Sequence, residues 1–110
     1  MNVQHQELAG GRWQSLSLMA QLGNAGSEVE RALKWREKGN EKYSRLAFER
    51  SLELIDLTIA DPKNRKRLRE ITRTRELLVD YFFANNDFLS TPQSWRNYLL
   101  AFAVAARGGV

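Results

Sequence analysis

The sequence predicts an all-α fold, an antiparallel bundle of about four helices, and three observations predict it. Apolar residues recur at three- and four-residue steps through most of the chain, the period of a helix with one buried face. Apolar and polar residues never alternate cleanly over a strand-length window and no segment repeats, so neither a sheet nor a solenoid is expected. Helix punctuation stands at Gly39-Asn40, Asp61-Pro62 and Thr91-Pro92.

Taken in order, residues 1–11 carry one hydrophobic pair, Leu8 and Ala9, followed by Gly10 and Gly11. They read as a flexible N-terminal arm, and residues 12–110 as a single helical-bundle domain. The first helix is expected over Trp13 to Lys38, where Leu18, Leu22, Ala25, Val29, Ala32 and Leu33 share a face. Gly39 suits the left-handed residue just past a helix end, and Asn40 caps the next helix. That second helix, about Glu41 to Ala60, is apolar over an arc of roughly 240°, with Arg45, Glu49, Glu53 and Asp56 on its outer side. Ala47, Ser51 and Thr58 in mid-arc let another axis approach closely, which places this helix at the centre. Asp61-Pro62 ends it, because the residue before proline avoids helical geometry and proline suits a first turn. The third helix, about Lys63 to Asn85, aligns Leu68, Ile71, Leu78, Val79 and Phe82 before Asn85, Asn86 and Asp87 break it. Thr91 as N-cap and Pro92 in the first turn launch the last helix through about Arg107. Its inward stripe is Trp95, Tyr98, Leu99, Phe102 and Ala106.

The 110 residues are 43% hydrophobic and 27% charged, with seven Gly and two Pro, the balance of one globular domain. With no cysteine, disulfides, thiol nucleophiles and cysteine-bearing zinc sites are excluded, which fits a reducing, cytoplasmic setting. Met1 to Gln14 has no basic start followed by an apolar run, and no stretch approaches about 18 apolar residues, so secretion and membrane contact are not expected. The single histidine, His5, lies in the arm, and no Gly-rich phosphate loop or His-bearing metal spacing occurs. No cofactor, metal or enzymatic activity is therefore expected. Glu49, Glu53 and Asp56 stack along the second helix, where the ordinary role of such a column is a solvated face.

Three features remain. Arg75 falls inside the apolar stripe of the third helix, so a buried ion pair is expected, with Glu30 or Glu53 as the acid; Arg50 poses the same problem more mildly. An arginine reaching out of the bundle end is the other reading. Lys63, Arg65, Lys66, Arg67, Arg69 and Arg73 cluster around the start of the third helix, a place for a nucleic-acid backbone or another anion, through Lys63, Arg65, Lys66, Arg69 and Arg73 above all. Glu70 and Glu76 partly neutralise that face, and no aromatic residue interleaves it. Finally, Leu77 and Tyr81 on the third helix and Leu100 and Val104 on the fourth point away from the assigned core. They are an expected interface for a homo-oligomer or a protein partner, the other reading being that the helices are rotated from this projection and the four belong to the core.

The run Arg96-Asn97-Tyr98-Leu99-Leu100-Ala101-Phe102 resembles the arginine-polar start of the motif in HEPN-type helical bundles, prokaryotic proteins that include ribonuclease toxins and nucleotidyltransferase partners. In that family a histidine used in RNA cleavage follows, separated from the arginine by four to six residues; here those positions are Ala101, Phe102 and Ala103. The resemblance implies a noncatalytic HEPN-like or accessory bundle, and small basic accessory bundles of diversity-generating retroelements fit the same description. The leading expectation is a noncatalytic interaction protein acting by self-association and a protein partner. The alternatives are a nucleic-acid-binding accessory protein using the basic cluster and a degenerate HEPN-type toxin around Arg96, Asn97 and Tyr98.

Overall fold

The computed structural model of the protein describes residues 11–108; residues 1–10 of the expected arm 1–11, His5 among them, and residues 109–110 lie outside these. Four α-helices follow one another, α1 at Leu18–Glu37, α2 at Glu41–Ala60, α3 at Leu68–Phe83 and α4 at Pro92–Gly108. Two 3-10 turns, Trp13–Ser15 and Pro62–Arg67, precede α1 and α3. Among the described residues there is no strand, and the protein is an all-α bundle.

The punctuation acts as the sequence indicates. Gly39 adopts φ +79°, and the Asn40 side chain accepts from Tyr43 N at 3.0 Å. The Thr91 hydroxyl accepts from Ser94 N at 3.0 Å. The first helix starts later than its apolar pattern suggests, because Leu16 is extended and Ser17 caps α1, accepting from Ala20 N at 3.1 Å. The third starts later as well, since its first turn winds as a 3-10 helix.

Ala47, Ser51 and Thr58 are completely buried, as a close helix contact requires. α2 does not hold the centre alone. It shares that position with α1, which packs along both α2 and α4, while α3 lies on α2. Gly26 makes the α1–α4 contact close: a β-carbon there would stand 3.2 Å from the Leu99 Cβ. The core runs from Trp13 through Leu33, Phe48, Ile55, Ile71 and Leu78 to Trp95, and Phe48 stacks on Phe82 at 5.0 Å.

A polar knot is set into one end of this core. Trp13 Nε1 donates to the Thr58 hydroxyl at 3.1 Å, and Gln21 Nε2 donates to Trp13 O and to Asp61 Oδ2, both at 2.9 Å. Asn64 Nδ2 donates to Gln21 Oε1 at 2.8 Å and to Thr58 O at 2.9 Å. Asp61 also accepts from the backbone N and the ammonium of Lys63. All five knot residues other than Lys63 are buried, and every one of their hydrogen bonds closes within the fold.

Burial acts to raise the Asp61 carboxyl, but the hydrogen bonds from Lys63 and Gln21 and the Lys63 charge outweigh it and hold the group below its ordinary range. In the unfolded chain this aspartate takes its proton near the ordinary value, about 3.9. The folded form resists to lower pH, so the stabilisation is complete above that value and drains away as pH falls towards the folded-state value. Urea unfolding measured between pH 7 and pH 2 should show this acid limb in the wild type. In Asp61→Asn it should be flatter, on a lower baseline.

Candidate functional site

Residues 99–106 contain no polar side chain, so this two-turn stretch of α4 is apolar all round. Such a helix is ordinarily buried on every side. Here Leu99 and Phe102 face the core, whereas Leu100 is 56% and Val104 54% exposed. Ala101 and Ala105 are exposed beside them, so the four make one outer stripe at i, i+1, i+4 and i+5. Next to the stripe, α1 and α4 enclose a groove of about 280 Å³ lined by Gly23, Gly26, Ser27, Leu100 and Ala103 among others.

Arg96 fixes how α4 sits on α1. Its Nε donates to both Glu30 oxygens at 2.9 and 3.0 Å, and Nη1 and Nη2 donate to the two oxygens of Glu37 at 3.0 Å each. The two acids stand two turns apart on α1, so one guanidinium sets both the rotation and the register of α4. The hydrogen bond from Arg96 holds Glu37 below the ordinary carboxylate range, and the same contacts, Glu37 first and Glu30 second, push the Arg96 pKa upward. Of the other residues of the HEPN-like run, Tyr98 shares a hydrogen bond with Thr74 at 2.8 Å and Asn97 accepts from Gln93 at 2.8 Å. Nothing in the pattern of the sequence singled out Glu37. Its place seven residues after Glu30 on α1 was the available signal.

The four expected interface residues separate. Leu100 and Val104 are exposed, but Leu77 and Tyr81 are partly buried against the core. Leu77 lines a second groove of about 350 Å³, with Thr74, Trp95 and Tyr98, where the indole N–H of Trp95 is buried without an acceptor among the described residues. Tyr81 lies edge-on to Phe82 with the Arg36 guanidinium 5.1 Å from its ring centre. α3 packs on α2 and leaves a cleft towards α4, where Tyr98, a residue of the expected inward stripe, is 38% exposed.

Arg75 is not a buried ion pair. Its side chain is 37% exposed and donates to Asp56 at 2.7 and 3.4 Å, so the acid is a residue assigned to the outer face of α2. The flexible stem carries the guanidinium out of the apolar seam to the bundle surface. Glu30 is taken by Arg96, and Arg50 pairs with Glu28 at 3.0 Å.

The basic cluster is exposed throughout but unequal. Lys63 is held by Asp61 and by Gln14 O, Arg67 by Glu70 at 2.7 Å, and Arg73 lies 3.8 Å from Glu76. Among the described residues Arg65, Lys66 and Arg69 face no carboxylate. The acidic column of α2 makes no metal site: no group of three or more His, Cys, Asp or Glu side chains able to hold an ion occurs among the described residues. Nor is any helix there long and apolar enough to cross a membrane.

No family model, curated protein or solved structure matches the chain.

Proposed function

We propose that this is a noncatalytic cytoplasmic protein that works by association, and that the outer stripe of α4 pairs with the same stripe on a second copy. One observation carries this reading: a helix without a polar side chain from residue 99 to residue 106 leaves Leu100 and Val104 more than half exposed. Two such stripes are self-complementary across a two-fold axis, as a symmetric dimer requires. The segment is uncharged, so two basic chains meet there without like-charge repulsion. Ala101 and Ala105 let the two helix axes approach, and the groove beside Leu100 offers room for side chains of the second copy.

Light scattering after size exclusion should give twice the mass of the chain, unchanged at high salt because the contact is apolar. Leu100→Glu combined with Val104→Glu should return a monomer with unaltered helical circular dichroism, since both positions are outside the core of the single chain. A wild-type protein that stays monomeric at the highest concentration it tolerates would overturn the proposal.

A further inference from the structure

The chain's positive charge has one source. Residues 62–76 hold seven of the seventeen basic side chains and two of the thirteen acidic ones, leaving ten and eleven for all the rest. This stretch thus accounts for the whole of the net +4. Folding then neutralises part of it, through Asp61, Glu70 and Asp56, and leaves Arg65, Lys66 and Arg69 exposed and unpaired among the described residues. Their backbone is firmly held. Asn64, only 2% exposed, pins the 3-10 turn to Gln21 and to Thr58 O, so the neighbouring cations stand on a fixed support.

Arg69 and Arg73 stand four residues apart in α3, on one side of that helix, and Arg65 and Lys66 stand exposed on the 3-10 turn that leads into it. At the rise of an α-helix the interval from Arg69 to Arg73 spans about 6 Å, comparable to the separation of successive phosphates along an extended strand. Arginine's planar fork suits phosphate oxygens better than a point charge does. The stripe also ends on an aromatic ring that the sequence order conceals: Phe88, half exposed in the loop after α3, lies with its ring centre 4.4 Å from the Arg73 guanidinium. Asp80 holds that loop in place by accepting from Phe88 N at 3.1 Å.

We infer that Arg65, Lys66, Arg69 and Arg73, with Phe88, form a sequence-independent binding site for single-stranded nucleic acid. The cations track the phosphates, and Phe88 gives a base a face on which to stack. An acidic peptide would use the charge but has no need of the ring. This reading is independent of the α4 stripe.

The test is fluorescence anisotropy of the full chain with labelled oligouridine and oligothymidine of equal length, over a range of salt. Binding should weaken with salt, with a log–log slope of roughly −2 to −3 for three or four phosphate contacts. Arg65→Glu, Lys66→Glu and Arg69→Glu together should lower affinity at least tenfold, with circular dichroism and mass unchanged. Phe88→Ala should cost roughly tenfold with little change in the salt slope. Lys34→Glu, Lys38→Glu and Lys42→Glu together make the same change of net charge around the α1–α2 turn, at the opposite end of the twenty-residue α2 from Arg65 and Lys66, and should leave most of the affinity. Equal binding of the two strands supports a site that reads phosphate and base face; a preference for either supports the site and identifies the strand. No binding at low salt, equal loss in the control triple variant, or binding only to anionic phospholipid vesicles would overturn it.

Discussion

Gln21→Ala is expected to lower the unfolding free energy by about 3 kcal/mol, at about 1 kcal/mol for each hydrogen bond lost. Gln21 is fully buried, and its amide makes three bonds that no other side chain can replace: two donated, to Trp13 O and Asp61 Oδ2, and one accepted from Asn64. Its removal strands buried polar groups on three separate segments, the N-terminal 3-10 turn, the end of α2 and the turn before α3. A loss of this size should lower the melting temperature by roughly 10 °C or more in a domain of this length. Gln21→Met, which fills the space but makes no such bonds, separates the polar contribution from the cavity. Gln21→Glu sets a second carboxylate where Asp61 now receives an N–H at 2.9 Å, and should be at least as damaging at neutral pH. Thermal melts of the three variants check the ordering. A loss below about 1 kcal/mol in Gln21→Met would mean that the knot is dispensable.

Asp80→Ala should cost about 2 kcal/mol, the range for buried hydrogen bonds to a charged acceptor. Near the end of α3 the carboxylate accepts from Asp87 N at 2.8 Å and from Phe88 N at 3.1 Å, while its carbonyl accepts from Asn86 N at 3.0 Å. These bonds offset an unfavourable backbone, since Asn86 and Leu89 adopt φ of +54° and +56°, and for leucine that region carries a steric penalty of roughly 1 kcal/mol. Leu89 is also 82% exposed, so no packing rewards its position. Hydrogen exchange should therefore quicken at residues 86–89 in Asp80→Ala while the amides of α1 and α2 stay protected. Because Asp80 holds Phe88 against Arg73, the same variant should weaken strand binding about as much as Phe88→Ala.

The helices were legible because their causes are local. Glycine at a left-handed position, proline after an extended residue and a side-chain cap all act within a few positions, and a 3.6-residue period needs no knowledge of what covers the buried face. Ser17 shows where local reading weakens. It caps α1 from inside an apolar pattern that already begins at Trp13, and the intervening Leu16 is apolar yet extended.

The site was only half legible. Leu100 and Val104 could be assigned to the outer face because α4 has no polar residue there to settle its rotation otherwise, and the remaining apolar positions already fill one side. Leu77 and Tyr81 could not be separated from them, since Tyr81 lies beside the Arg36 guanidinium of α1 and Leu77 lines a groove with Trp95 and Tyr98 of α4, neighbours that only packing supplies. Arg75 illustrates the same limit. A long side chain leaves the face where its Cα sits, so a projection of helix positions places its charge wrongly and names the wrong acid.

The sequence by itself determined the fold class, the breaks at Gly39-Asn40, Asp61-Pro62 and Thr91-Pro92, the apolar excess of α4 and the concentration of positive charge in residues 62–76. Only the tertiary structure decided which distant charges are cancelled, Arg96 by Glu30 and Glu37 and Arg75 by Asp56. It also joined Gln21 to Asp61 and Asn64, and Arg73 to Phe88. These pairings link residues up to 66 positions apart. Local propensity has no term for such separations, because hydrogen bonds and ion pairs depend on distances of a few ångströms that exist only once the helices have packed.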